Sequence, residues 1–402
     1  MGLRSLAATS LICWSALAAG QISGEFYLEK STYAQNEPVF LYFRVVNNGP
    51  KPENLESGSP YCPFSGYFIS VSSDPKPTPS CARGTAASCL SGQAKLPPGE
   101  KHIERLLLNL DHEINSPGEY SVEATRHLSH AGADVNFFSA VAKETLEVRA
   151  TLHFRVDQAA AQDTKTFQPW VDQLRSGDRI TRVEAARTLA SMAPKSLEDT
   201  LLTFADTDDP MIRQFAPLAF YRLNTPRSMS AMADLLRKSQ PGKYERIKSA
   251  DYLAQSGDPQ WFPLLLEAAK ANPELGSYPE DAARLGGEKM LATLVQLANR
   301  PDNSFTLFTG AAQANAALAM GSTGSRAAVP ILLDLLRNPN NFTAYGAMRA
   351  LQQLTHRTAA DDRKSEGRPQ GQYPKWSQWW EREGATAPIY KATECGDLTP
   401  LQ

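Results

Sequence analysis

A short motif returns along the second half of the chain at a nearly constant interval. Arg182-x-x-Ala185-Ala186-x-x-Leu189 recurs as Arg213-x-x-Ala216 and as Arg246-x-x-Ser249-Ala250-x-x-Leu253. Weaker copies follow at Ala282-Ala283, Asn315-Ala316 and Ala347-Met348-x-x-Leu351. The steps between Ala185, Ala216, Ser249, Ala282, Asn315 and Ala347 are 31, 33, 33, 33 and 32 residues. A period of this length marks stacked supersecondary units, none of which can bury its apolar face alone. Adjacent small residues on one helix let a neighbouring helix approach closely.

Each unit has an internal order. After Leu253 comes Gly257-Asp258-Pro259, which stops one helix and starts the next, and Phe262-Pro263-Leu264-Leu265-Leu266 opens the second helix. The same order appears at Gly321 to Gly324, followed by Val329-Pro330-Ile331-Leu332-Leu333 with Asp334 turned outward. This pattern resembles the HEAT repeat, with its helix pair, its helix-start arginine and its Gly-Asp-Pro turn. The resemblance spans residues 160–357, is clearest at 243–270 and 311–357, and is blurred at 271–300. It implies a right-handed α-solenoid of about six helix pairs, an ARM-like architecture that presents a surface to protein or peptide partners. Residues 358–373 read as a polar loop. Residues 374–402 read as a capping helix and tail, with Trp376, Trp379 and Trp380 on one helix face.

The first part of the chain has the period of strands. Val39 to Val46 is rich in β-branched and aromatic residues and ends at Asn47-Asn48-Gly49-Pro50. Tyr67–Val71, Ile103–Leu110, Tyr120–Ala124 and Leu146–Val156 are further runs, separated by Pro97-Pro98-Gly99 and Ser116-Pro117-Gly118. The phrases Asn36-Glu37-Pro38-Val39, Pro98-Gly99-Glu100 and Pro117-Gly118-Glu119-Tyr120-Ser121-Val122 resemble the Ig-like sandwiches of many exported bacterial proteins. That resemblance implies an antiparallel β-sandwich over residues 24–157, a fold that hosts binding, adhesion and spacer roles alike. The Pro-, Ser- and Gly-rich stretch 51–95 departs from it and reads as an elaborated loop around Tyr67–Val71.

Arg4 precedes an apolar run from Leu6 to Ala19 that ends in small residues, the pattern of a secretory signal peptide over residues 1–20. Cleavage after Ala18 or Gly20 fits. About 14 apolar residues fall short of the roughly 20 that a spanning helix needs, so no transmembrane span is expected after cleavage. The expected location is therefore periplasmic or extracellular. Cys62, Cys81, Cys89 and Cys395 then remain, an even number compatible with two disulfides. Cys81 with Cys89 closes the shortest loop, and Cys62 with Cys395 would tie the tail to the first domain. A zinc site is the rival use of these cysteines, although no C-x-x-C pair is present.

The net charge of −2 on 402 residues argues against a generic nucleic-acid binder. His127-x-x-His130 could offer two nitrogens to a metal, but no third ligand follows in a characteristic spacing. Asp206-x-Asp208-Asp209 precedes Pro210 and reads as a helix start. No nucleophile elbow or phosphate-binding loop is present, so neither a cofactor nor catalysis is expected. Seven basic and two acidic residues lie between Arg222 and Lys248. Arg237, Lys238, Lys243, Arg246 and Lys248 among them form either a solvated face or a partner-binding basic patch. The expected function is a non-enzymatic interaction or scaffold protein of the cell envelope or exterior. The alternatives are an enzyme site where sandwich and solenoid meet, or a carbohydrate-binding sandwich on a helical spacer, whose mark would be a row of aromatics on one sheet.

Overall fold

The computed structural model describes residues 21–57, 66–74, 92–114, 116–132, 144–158, 164–275, 277–300, 311–357, 369–392 and 398–401. The proposed signal segment and all four remaining cysteines lie outside the described residues.

The N-terminal part consists of β1 (Ile22–Leu28), β2 (Thr32–Ala34), β3 (Phe40–Asn47), β4 (Glu53–Ser57), β5 (Tyr67–Asp74), β6 (Gly92–Leu96), β7 (Lys101–Leu107), β8 (Gly118–Gly132) and β9 (Glu144–Asp157). One antiparallel sheet has the order β1-β3-β7, and the other runs β2-β9-β8-β4-β6 with β5 also paired to β8. Alternation decides which side chains go inward. In β3, Leu41, Phe43 and Val45 are buried while Tyr42, Arg44 and Val46 face outward. Phe26, Leu41, Phe43 and Val45 from the first sheet join Leu55, Tyr67, Val122, Ala124 and Phe154 from the second in one core. The stretch expected to be a loop contains β4 and β6, which pair with each other. Glu53-Asn54-Leu55-Glu56-Ser57 has little intrinsic strand preference, so its pairing with β6 and β8 decides its conformation.

A polar brace crosses this core. Arg126 is fully buried on β8, and its guanidinium lies 4.5 Å from the ring centre of Tyr67. Its Nη2 donates to the Glu56 carbonyl at 2.9 Å and its Nη1 to the His127 carbonyl at 3.3 Å. The Tyr67 hydroxyl, on the larger sheet, donates to the Glu104 carboxylate on the smaller one. Burial, with the Glu104 charge adding to it, holds the Tyr67 hydroxyl far above its usual range, so it stays a neutral donor.

The rest of the chain is helical. Its elements are α1 (Thr164–Gln173), α2 (Arg179–Met192), α3 (Glu198–Leu202), α4 (Pro210–Arg213), α5 (Ala216–Leu223), α6 (Pro226–Lys238), α7 (Tyr244–Gln255), α8 (Phe262–Ala271), α9 (Ser277–Gly286), α10 (Leu291–Ala298), α11 (Ala311–Ser322), α12 (Ala328–Leu336), α13 (Asn341–Thr355) and α14 (Tyr373–Glu383). A two-stranded antiparallel sheet, β10 (Ile389–Ala392) and β11 (Leu398–Leu401), follows. Every small residue of the sequence period falls on one series of helices: α2, α5, α7, α9, α11 and α13. Successive members of that series touch, and α3, α6, α8, α10 and α12 form a second layer packed against it. Ala185, Ala216, Ser249, Ala282 and Ala347 have no exposed surface. Asn315 is the exception, and its amide reaches out to the Glu274 carbonyl at 3.0 Å.

Local signals set the joints. Gly257 has a positive φ of 69°, which ends α7, and the Asp258 carboxylate accepts from the Gln260 backbone N–H at 3.0 Å. The second unit's first helix is split into α4 and α5. Pro217 cannot donate to the Arg213 carbonyl four residues back, and its ring crowds that carbonyl. Among the described residues no helix is long and apolar enough to cross a membrane.

Candidate functional site

The repeat arginines hold the joints between units. Arg182 donates to the carbonyls of Ser176 (2.7 Å) and Gly177 (3.1 Å), Arg213 to that of Thr207 (3.0 Å), and Arg246 to that of Ser239 (2.8 Å). Each guanidinium thus ties the loop five to seven residues upstream to the start of its own helix. Asp209 caps α4 through the Met211 N–H at 2.9 Å and pairs with Arg179 of the preceding unit at 2.9 Å. These contacts lower its pKa, the Arg179 hydrogen bond most of all. The acidic run 206–209 is therefore a helix start joined to its neighbour.

Where α3 and α6 run side by side, the stack leaves an open hollow of about 660 Å³. Leu202, Ala205, Ala231 and Leu235 supply its apolar lining, and Asp206, Arg213, Asp234, Lys238, Lys243 and Glu245 stand around it. Asp234 is held by Arg237 (3.1 Å) and Lys238 (3.0 Å), contacts that depress its pKa. Asp206, Lys243 and Glu245 have no side-chain partner among the described residues. An apolar lining under a rim that keeps three uncommitted charges has the composition of a recognition surface rather than of a buried core.

The basic run does not form one cationic face. Arg237 and Lys238 are paired with Asp234 one turn back on α6. Arg246 is committed to the Ser239 carbonyl and lies 5.9 Å from the Tyr278 ring centre. Lys248 pairs with Asp251 at 3.1 Å on α7. Lys243 alone of the five is exposed without a partner among the described residues. Sequence proximity misleads here because residues three and four apart on one helix neutralise each other.

The two histidines also part company. Both lie within β8 rather than in a loop, and an odd spacing on a strand sends them to opposite faces. His127 sits outside, 3.5 Å from Glu147, and His130 is buried, 3.3 Å from Glu53. Among the described residues no three His, Cys, Asp or Glu side chains form a metal-binding group. Trp376 and Trp379 are buried in the helical core, while Trp380 is half-buried. Trp379 Nε1 donates to Glu383 at 3.0 Å, and Arg357 lies 4.7 Å over its ring.

Sequence reasoning named the place where strands meet helices but none of the residues that form it, because they are far apart in the chain. Arg105 on β7 pairs with Glu184 on α2, and its guanidinium lies 4.7 Å from the Phe40 ring and 5.4 Å from that of Trp170. Arg222 donates to the Ser191 carbonyl (2.9 Å) and across to the Leu110 carbonyl (3.0 Å). Burial raises the pKa of Asp111 beside it, with the Arg222 charge offsetting part of that rise. Burial lowers that of His112 below its ordinary 6.5. The folded chain therefore resists protonating His112 while the unfolded chain does not. The stability this contributes is present above pH 6.5 and lost as the pH falls through it. Asp111, whose pKa burial raises, acts in the opposite sense. Unfolding free energy is expected to fall between pH 7.5 and 5.5, by at most about 1.4 kcal/mol per unit. A His112→Gln variant should show a flatter urea-unfolding profile over that range; an unchanged slope rules His112 out as the cause.

Residues 167–244 match the family model for HEAT repeats, and residues 312–338 match that for the PBS lyase HEAT-like repeat. The helical region thus contains HEAT repeats. No curated protein matches the chain. Solved structures returned as similar include Salmonella alpha-2-macroglobulin reacted with methylamine and trypsin-activated alpha-2-macroglobulin from Escherichia coli, each 11% identical with a TM-score of 0.19. They cover 90% and 95% of this chain but only 27% and 30% of their own. The chain thus spans less than a third of their length, and a likeness this weak carries no argument.

Proposed function

We propose that this is an exported, non-enzymatic interaction protein that holds a protein or peptide segment in the hollow formed by α3 and α6. HEAT repeats suggest a protein-interaction or scaffold role. The observation that carries the site is the apolar lining of Leu202, Ala205, Ala231 and Leu235 beneath the unpaired Asp206, Lys243 and Glu245. The polar groups where strands meet helices are engaged in joining the two regions, which favours a structural role there over a catalytic one.

A photo-crosslinking residue at Gln240, on the rim, is expected to capture a discrete partner from the native envelope fraction. The same residue at Arg149, on the outer face of the larger sheet, should not. Ala231→Trp places an indole against the apolar lining of the hollow and should abolish the Gln240 adduct while leaving the circular dichroism spectrum unchanged. Equal capture from both positions, or an adduct indifferent to Ala231→Trp, would overturn the reading.

The finer architecture belongs to the same proposal. Two sheets around one core, the parallel pairing of β2 with β9, and the Tyr120 hydroxyl donating to the Ser116 carbonyl at 2.8 Å are features that support an Ig-like sandwich. Stacked small-residue helices support a solenoid, whose right hand is part of the proposal. The Arg4–Ala19 pattern supports export, and N-terminal sequencing of the exported protein should begin at Ala19 or Gln21. A mature protein that retains Met1 would rule that out.

A further inference from the structure

The outer face of the smaller sheet is a regular grid. Strand register sets Tyr27, Tyr42 and Arg105 in one row, Glu25, Arg44 and Ile103 in the next, and Ser23, Val46 and Lys101 in the third. Strand alternation turns all nine to the side opposite Phe26, Leu41, Phe43, Val45 and Leu106, with Arg105 drawn to Glu184 and Trp170 at the helical end of the first row. Tyr27 and Tyr42 stack at 5.1 Å with 14° between their planes, and the Arg44 guanidinium lies 5.8 Å from the Tyr27 ring centre. Ile103 is 42% exposed. Beside these rows is a hollow of about 450 Å³ lined by Arg44, Val46, Gly99, Glu100 and Lys101.

Charge and size narrow the ligand. Arg44 is paired with Glu25, Arg105 with Glu184, and Lys101 adjoins Glu100 in the hollow, so cations and anions balance. A balanced surface selects no strongly charged ligand, although each group can still exchange hydrogen bonds. Three strands about 4.8 Å apart and six residues at about 3.4 Å each give a face of roughly 300 Å². A stable protein interface needs about 800 Å² per partner. Strand addition at the β7 edge is opposed by Lys101, His102, Glu104 and Arg105. A neutral chain of sugar rings suits the site, with apolar C–H faces for the tyrosines and Ile103 and hydroxyl edges for Arg44, Glu25, Glu100 and Lys101.

We infer that this sheet face binds a neutral polysaccharide, a function separate from the hollow formed by α3 and α6. Calorimetry on the full chain with cellohexaose, xylohexaose, mannohexaose and chitohexaose tests it. At least one should bind. Tyr27→Ala and Tyr42→Ala should each weaken it by about tenfold, the loss of one aromatic contact. Tyr42→Phe should retain binding, and so should Phe68→Ala, which removes an exposed ring from the other sheet. Melting curves of the two alanine variants separate lost binding from lost fold. Binding of none of the four sugars overturns the inference, as does undiminished binding by folded Tyr27→Ala and Tyr42→Ala. So does a protein adduct captured by a crosslinker at Ile103, which would make the face a protein-docking surface instead.

Discussion

Replacing Arg126 with leucine is expected to destabilise the strand region by about 3–5 kcal/mol, the usual result of removing one member of a buried charged network. The guanidinium has no exposed surface and serves the Glu56 and His127 carbonyls while lying over Tyr67. Leucine fills part of the volume and none of these roles. The Glu56 carbonyl loses its donor, and the part-buried Glu104 carboxylate keeps its charge beside Tyr67 with the Arg126 cation gone. Tyr67→Phe removes one hydrogen bond to Glu104 and should cost less, about 1–2 kcal/mol. Urea unfolding followed by hydrogen exchange in β3, β7 and β8 reads both changes. A loss below about 1 kcal/mol for Arg126→Leu would show that the network is dispensable. Gly66 provides a second handle. Its φ of 75° disfavours any side chain, and an added Cβ would overlap the Arg126 guanidinium. Gly66→Ala should therefore cost less in the Arg126→Leu background than in the native chain, where strain and overlap act together.

Gly346→Val, in α13, is the second large effect. On helix propensity alone, replacing a mid-helix glycine should help by up to about 1 kcal/mol. Here an added Cβ would lie 2.5 Å from the Ala314 carbonyl oxygen of α11, a backbone atom that cannot swing away. Overpacking of this kind costs about 1–3 kcal/mol, and valine's branched carbon adds to it. The expected net result is a loss of about 3 kcal/mol. Because a helical stack is stabilised chiefly by nearest neighbours, the damage should be local. Hydrogen-exchange protection should fall in α11 to α14 and persist in α2. Gly177→Val, in the loop before α2 where an added Cβ meets nothing within 4 Å, is the control for open space and should cost far less. Uniform loss of protection along the whole stack would contradict the nearest-neighbour picture.

The helical half was legible because its signal is repeated. Ala185, Ala216, Ser249, Ala282 and Ala347 are spaced by the repeat and buried by it, so each copy reinforces the others. The acidic run at 206–209 was legible because a cap needs only residues adjacent in sequence. The strand half was less so. Phe40–Asn47 and Tyr67–Asp74 declare themselves by alternation, whereas Glu53–Ser57 becomes a strand only through partners 35 to 79 residues away.

The candidate sites divide along the same line. The basic run from Arg237 to Lys248 looked like one patch in sequence, and Asp234, Ser239 and Asp251 took four of its five charges. His127 and His130 looked adjacent, and the two-residue period of β8 set them on opposite faces. Neither the tyrosine grid on the smaller sheet nor the hollow formed by α3 and α6 has a sequence motif. Each gathers residues from elements that meet only when the sheet pairs or the helices stack.

What the sequence by itself determined was the repeated stack of paired helices, because its packing rule is local and recurs every 31–33 residues. The tertiary structure decided which charges are spent inside the fold and which remain free to meet a ligand. Charge neutralisation depends on distances of a few ångströms between groups whose separation along the chain carries no information.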